Sequence, residues 1–388
     1  MKRRRTRAKP APDPAWPGAR VLMWKQDPSV AEIGTRMVFL PGLVLDGPGD
    51  ARIVQGAPGI GPVAPDALGD FVALPGTPQF DAIHTYAVVR QTLTMYQRAL
   101  AAAGIDTSLP WQWNSSTDLT PIAVFPYGLP DVVNGLYSRA GRCLKFGHFL
   151  PAGQGERVYT CRSLDIVAHE TGHAVLDGLK PDWLLASNPL QTAALHEAFG
   201  DLTAIFLCLS QLDMCEAIVV QTRGRVHDKS FLADFAEQYG LALGRQNGIR
   251  QADNDLTLSR AGADVHAISQ VFTGAAYDIL ADLFAIERNP AMRDDAVVLH
   301  QVGAYLRGLV LRALMAAPER AAVYVDVADA MLRLAAADGK PAAYQNAIAG
   351  RFRAREVVRG AAPPLPPASA AQSELMLAAA VATGAATR

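Results

Sequence analysis

Between Asp201 and Asp213 the chain carries no charged residue, and Leu202, Ile205, Phe206, Leu207 and Leu209 follow one another in what reads as a single long helix over 192–216. A helix this apolar is stable when it is buried, so the rest of the chain has to build a body around it. With 388 residues there is enough chain to do so. Chains beyond roughly 250 residues usually divide, and two lobes are expected. Near the start of this helix Glu197 and Asp201 stand four apart and share a face. Burying a carboxylate is costly unless it is paired or binds a metal. The alternatives to a metal are a solvated helix edge and a salt bridge to an arginine.

A partner for these acids lies upstream, in His169-Glu170-Thr171-Gly172-His173. Imidazoles at i and i+4 on a helix reach one tetrahedral metal, and Glu170 beside the first is placed to handle the proton of a nearby water. Asp165 in the first turn suits the helix dipole, and Gly178 followed by Pro181 reads as a stop. Two histidines do not complete a zinc site. Glu197 is the best candidate for the third ligand. The bland alternative is a solvated helix carrying two histidines that bind nothing.

The rest of the chain divides by texture. Short apolar runs at Ala19–Trp24 and Met37–Val44 are broken by Pro-Gly and Asp-Gly pairs, as strands and turns are. The segment 79–100, free of Gly and Pro, reads as a core helix, and Ile122–Phe125 and Leu136–Tyr137 as further strands. From 164 onward helices take over, at 164–177, 192–216, 231–243, 265–286, 293–316, 320–337 and 341–355. The expected fold is α+β in two lobes: a β-rich N-terminal lobe over 19–178 ending in the zinc helix, and an α-helical lobe over 179–360. The active-site cleft would lie between them. The basic, Pro-rich 1–18 and the Ala/Pro-rich 361–388 read as tails.

Charge and cysteine content exclude several classes. With 36 Lys+Arg against 37 Asp+Glu there is no basic footprint for nucleic acid. No segment approaches about 18 continuous apolar residues, so no membrane span is expected. The basic run Lys2–Arg5 leads into prolines rather than an apolar stretch, which does not read as a secretory signal. Cys143, Cys161, Cys208 and Cys215 are too few and too irregular for a disulfide framework. Cys208 and Cys215 would stand about 10 Å apart along an unbroken helix, too far to bridge. A cytoplasmic location is expected, with secretion left open.

His169-Glu170-Thr171-Gly172-His173 followed by Glu197-Ala198-Phe199-Gly200-Asp201 resembles the thermolysin-like zinc metallopeptidases, with their His-Glu-x-x-His and Glu-x-x-x-Asp. Asn134-Gly135-Leu136-Tyr137 before Lys145-Phe146-Gly147 resembles the family's edge strand. Phe80-Asp81-Ala82-Ile83-His84-Thr85-Tyr86 resembles the start of its N-lobe helix, and Val265-His266-Ala267-Ile268-Ser269 with Ala275-Ala276-Tyr277 its second catalytic histidine. The likeness spans roughly residues 78–357. It implies one zinc ion on His169, His173 and Glu197, with Glu170 as general base and His266 as donor to the oxyanion. Asp201 would orient His169. Asn134, Gly135 and Arg250 would hold the substrate backbone, with Arg245 and Arg260 as competitors of Arg250. The implied partner is a peptide or protein cleaved before a hydrophobic residue. The other reading is a zinc-binding protein of the same fold with weak or no peptidase activity, or a hydrolase of another amide.

Three departures qualify the resemblance. The family's tyrosine between the zinc helix and the glutamate ligand has no counterpart in 174–196, where Trp183 or Leu184 falls near its place. Slower turnover is expected unless Tyr137 reaches in. Of the family's calcium-binding carboxylates only Asp165 is evident, and Cys208 stands where another would be. Calcium, which needs several oxygen ligands, is expected to be absent. The acid that normally orients the second histidine is replaced by Ala261, and Asp264 is the substitute considered.

Overall fold

A computed structural model describes residues 17–56, 59–152, 155–244 and 248–360. Of the tail expected over 1–18, residues 1–16 lie outside the described residues, while Gly18 begins a strand; 361–388 and Arg245 also lie outside them. In chain order the elements are β1 (Gly18–Trp24), β2 (Thr35–Pro41), β3 (Ile53–Gln55), α1 (Pro78–Ala102), β4 (Ile122–Pro130), β5 (Gly135–Ser138), β6 (Cys143–Phe149) and β7 (Val158–Tyr159). There follow α2 (Leu164–Leu179), α3 (Leu190–Leu209), α4 (Leu212–Thr222), β8 (Asp234–Phe235), α5 (Glu237–Ala242), β9 (Arg250–Gln251), α6 (Val265–Glu287), α7 (Asp295–Ala316), α8 (Tyr324–Ala337) and α9 (Ala342–Ala354). The fold is α+β, with its main sheet in the N-terminal half and helices dominating the C-terminal half.

β1 and β2 form an antiparallel ribbon, and the main sheet has the order β3-β4-β6-β5 with β7 also on β6. β4 runs parallel to β3 and β6, while β5 is antiparallel to β6 and stands at the sheet edge. α1 begins where Thr77 accepts from the Phe80 amide at 3.2 Å and Pro78 occupies the first turn, which needs no donor there. α1 packs on α2, β1 and α7.

α3 sits at the centre. Every residue from Leu190 to Leu209 except Gln191 is buried, as its apolar composition demands. By length and composition α3 and α7 could cross a membrane, but α3 is a wholly buried core helix here. α2 lies against one side of α3 and α6 against another. Two glycines make the first contact close. A Cβ on Gly172 would meet Thr203 Oγ1 at 2.6 Å and the Gly200 Cα at 3.2 Å.

The helix expected over 192–216 is two helices. It ends at Leu209 and restarts at Leu212, with the Ser210 amide bonded back to Phe206 and Gln211 in an extended conformation. The geometry assumed for Cys208 and Cys215 therefore does not apply, but all four cysteines are free and buried. The stop expected at Gly178 comes at Lys180, after Leu179. Gly178 instead allows close contact, since a Cβ there would lie 2.0 Å from the Pro110 carbonyl oxygen. The helix expected over 231–243 is in part strand: β8 pairs with β9, and only the short α5 follows.

Candidate metal centre

α2 carries His169, Glu170 and His173 on its buried inner side, and α3 brings Glu197 up to meet them. The Nε2 atoms of His169 and His173 are 3.0 Å apart. His169 Nε2 lies 3.4 Å from Glu197 Oε2, and His173 Nε2 lies 3.6 Å from Glu197 Oε1. Tetrahedral ligands about 2.0–2.1 Å from zinc are separated by roughly 3.4 Å, and the observed distances bracket that value. The donor chemistry fits as well. In the neutral ring His169 Nδ1 donates to Asp201 Oδ1 at 2.9 Å, and Nε2 keeps a lone pair facing the other imidazole and a carboxylate. Such a convergence of lone pairs is repulsive until a proton or a metal cation sits within it.

The pKa shifts express the same demand. Burial opposes charge on His169, but Asp201 and Glu197 outweigh it and push its pKa up to about 10. His173 is pushed down to about 3, chiefly by burial and against the pull of Glu197. Burial also opposes ionisation of Glu197, yet His266, His173 and His169 hold its carboxyl well below the usual range. Glu170 goes the other way: burial pushes it up to about 7, with Glu197 adding and His169 opposing. Its Oε2 is buried with no hydrogen-bond partner among the described residues. A carboxyl that titrates near neutrality, with an uncommitted oxygen, is suited to proton transfer.

The surrounding residues lock the centre in place. A Cβ on Gly200 would lie 2.6 Å from the His169 ring, so the glycine makes room for that ring. Asp201 is also gripped by Arg250, whose Nη2 reaches Oδ1 at 2.6 Å and Nε reaches Oδ2 at 3.1 Å. The register that pairs Arg250 with Phe235 fixes where this arginine enters. His196, singled out by no spacing argument, stacks on His173, with the two Nδ1 atoms 3.3 Å apart. It precedes Glu197 in a helix buried on all sides, which is the one signal the sequence offers for it.

His266, at the start of α6, is partly exposed, and its Nε2 lies 3.4 Å from Glu197 Oε2. Asp264 caps that helix by accepting from the Ala267 amide at 2.9 Å. Asn134 and Gly135 line the same cleft with Ile166, Phe235, Ile249 and Arg250. Gly135 lets β5 lie on α2, because a Cβ there would meet Glu170 Cγ at 3.1 Å. All nine residues expected at the site therefore come together in one cleft. Arg260 is not among the cleft residues.

No tyrosine lines the cleft among the described residues. Tyr137, considered as a donor, is buried and gives its hydroxyl to Asp177 at 2.7 Å. Trp183 donates to the Pro318 carbonyl at 3.0 Å. Asp165 is also less isolated than the sequence suggested. Burial first, and then Asp27, push it up to about 8, and Glu237 is raised to about 10 by burial, Asp165 and Asp27. Neither neighbour was legible, since each comes from a distant segment. Among the described residues, the ligand groups that converge on one point are His169–His173–Glu197 and a partly exposed His227–Asp253–Asp278. In the second group Arg355 already holds Asp278 at 2.8 Å.

No protein-family model and no curated protein matches the chain. Among solved structures, the precursor of protealysin, a metalloproteinase from Serratia proteamaculans, is similar over 82% of this chain and 88% of its own, at 16% identity and a TM-score of 0.49. At that distance nothing is transferred from it to this chain.

Proposed function

We propose that the chain is a zinc-dependent metallopeptidase that hydrolyses internal peptide bonds. One observation carries this: a buried His169–His173–Glu197 ligand group with Glu170, its carboxyl raised to about 7, on the same helix turn. A zinc ion held by these side chains would supply Lewis acidity toward a carbonyl oxygen and toward water. Glu170 takes the proton of the attacking water and returns it to the leaving nitrogen, a double duty that a pKa near neutrality serves. His266 donates to the developing oxyanion. Asp201, held by Arg250, fixes the orientation and tautomer of His169.

Substrate backbone would add to the outer edge of β5, where Asn134 and Gly135 line the cleft. The reading that Arg250 grips substrate weakens, because its fork is engaged by Asp201. The lack of a cleft tyrosine among the described residues favours slow turnover. It also keeps in view the second reading, a zinc protein of weak or no peptidase activity. We read the Asp27–Asp165–Glu237 group as proton-holding, since burial raises all three carboxyls. The location is proposed to be cytoplasmic.

The test is cleavage of casein and a blocked dipeptide by purified protein with and without a chelator. Loss of cleavage on chelation and recovery with zinc are expected. Chelator-insensitive cleavage, or none from protein carrying one zinc per chain, would overturn the peptidase reading.

A further inference from the structure

Away from the cleft, Arg98 of α1 and Arg307 of α7 both line two adjoining cavities. One has a volume of about 430 Å³ and is also bounded by Ala102, Tyr305 and the Arg312–Asp338 ion pair. The other, about 290 Å³, is bounded by Gln91, Gln211 and His300. Small-molecule sites typically occupy about 300–1,000 Å³. Neither cavity shares a residue with the metal cleft. Gln211 lies past the end of α3, whose last residue, Leu209, is twelve positions from Glu197, roughly 18 Å along the helix.

Most guanidiniums near the core have an acceptor. Arg139 has Asp177, Arg162 has Asp81, Arg250 has Asp201 and Arg355 has Asp278. Arg52 has buried nitrogens without acceptors, but it lies over the Trp111 ring at 4.9 Å. Arg307 has neither. Its Nε and Nη1 are buried with no hydrogen-bond partner, and no carboxylate pairs with it or with Arg98 among the described residues. Burial lowers its pKa, with Tyr96 opposing and the Arg98 charge adding a smaller push. The one carboxylate in the two linings, Asp338, is taken by Arg312 at 2.6 Å.

Arg98 is exposed, but Arg307 is half-buried, and a buried guanidinium without an acceptor beside a second positive charge is unfavourable until an anion joins them. Guanidinium forks match the oxygens of a tetrahedral oxyanion, and a dianion would neutralise both charges. Gln91 and Gln211 line the second cavity, and a hydroxyl on the same ligand would give their side-chain amides a partner. We propose that Arg98 and Arg307 form a binding site for a phosphate dianion, either inorganic phosphate or the phosphoryl group of a small hydroxylated molecule. The site is separate from the metal centre and independent of the peptidase reading.

The test is calorimetric titration of the full chain with inorganic phosphate and with glycerol phosphate, together with melting curves in each. Saturable binding of one anion per chain is expected, weakened about tenfold or more by Arg98→Gln and by Arg307→Gln. Without phosphate, Arg307→Gln should melt no lower than the parent. With phosphate, the parent should gain stability and the variant should not. A structural arginine would instead lower the melting temperature on removal whatever the buffer. Tighter binding of glycerol phosphate would point to a phosphorylated molecule, and equal binding to phosphate itself. No saturable binding of either probe, or unchanged binding in the exposed-site variant Arg98→Gln, overturns the proposal even if Arg307→Gln fails to fold.

Discussion

Gly200→Ala is the most telling single perturbation of the metal centre. The added Cβ would lie 2.6 Å from His169 Cε1 and Nδ1 and 2.9 Å from Cγ. The ring has little room to retreat, because its Nδ1 is held by Asp201 at 2.9 Å and His173 Nε2 stands 3.0 Å from its other nitrogen. Alanine gains about 1 kcal/mol over glycine in a helix interior, while overpacking of this kind costs about 1–3 kcal/mol. Net stability should therefore fall by no more than about 2 kcal/mol. Zinc affinity should suffer more. Disturbing the partner that orients a ligand typically costs about 10–100-fold, or about 1.4–2.8 kcal/mol. Competition against a chromophoric chelator measures the affinity, and thermal melting measures the stability. Gly172→Ala would press on Thr203 and on the Gly200 Cα across the same α2–α3 contact, so it should weaken zinc as well, by spreading the helices rather than by touching a ligand. Wild-type zinc affinity in Gly200→Ala would refute the reasoning.

Other outcomes follow from the same structure. Glu170→Gln should keep zinc and lose about 10²–10⁴-fold in kcat, as expected when a general base is removed; loss of the metal instead would mean that Glu170 is structural. Tyr137→Phe should cost about 1 kcal/mol in melting experiments by removing the Asp177 hydrogen bond, with turnover unchanged; a fall in kcat would restore Tyr137 as an oxyanion donor. Asp27, Asp165 and Glu237 all titrate above the usual carboxylate range through burial, so the folded chain holds protons that the unfolded chain releases near pH 4. Their contribution is complete below that pH and is lost as pH rises through about 8 and about 10. Melting temperature in saturating zinc should therefore fall as pH rises from about 4 toward about 8 and about 10, and less steeply in Asp27→Asn. Identical slopes would count against the proton-holding reading.

What the sequence disclosed and what it withheld follow from the range of each interaction. His169 and His173 were legible because i and i+4 fix a shared face, and the same rule put Glu197 together with Asp201 on a helix too apolar to be exposed. That these helices meet closely enough for the four side chains to converge depends on Gly172 and Gly200, whose role appears only when both are in place. Arg250 was drawn toward substrate by resemblance, but the β8–β9 pairing, two residues on each strand and without periodic signal, turns it onto Asp201. The break at Ser210 was invisible because the apolar pattern continues through it into α4. Asp27 and Glu237 reach Asp165 across sequence separations of 138 and 72, beyond any local pattern.

The central claim is that His169, His173 and Glu197 hold a single zinc ion beside Glu170. Anomalous diffraction at the zinc edge, from crystals of the zinc-loaded chain, addresses it most directly. One peak is predicted within bonding distance, about 2.0–2.2 Å, of both Nε2 atoms and a Glu197 oxygen. A peak confined to His227, Asp253 and Asp278, or none at the α2–α3 contact, would contradict it.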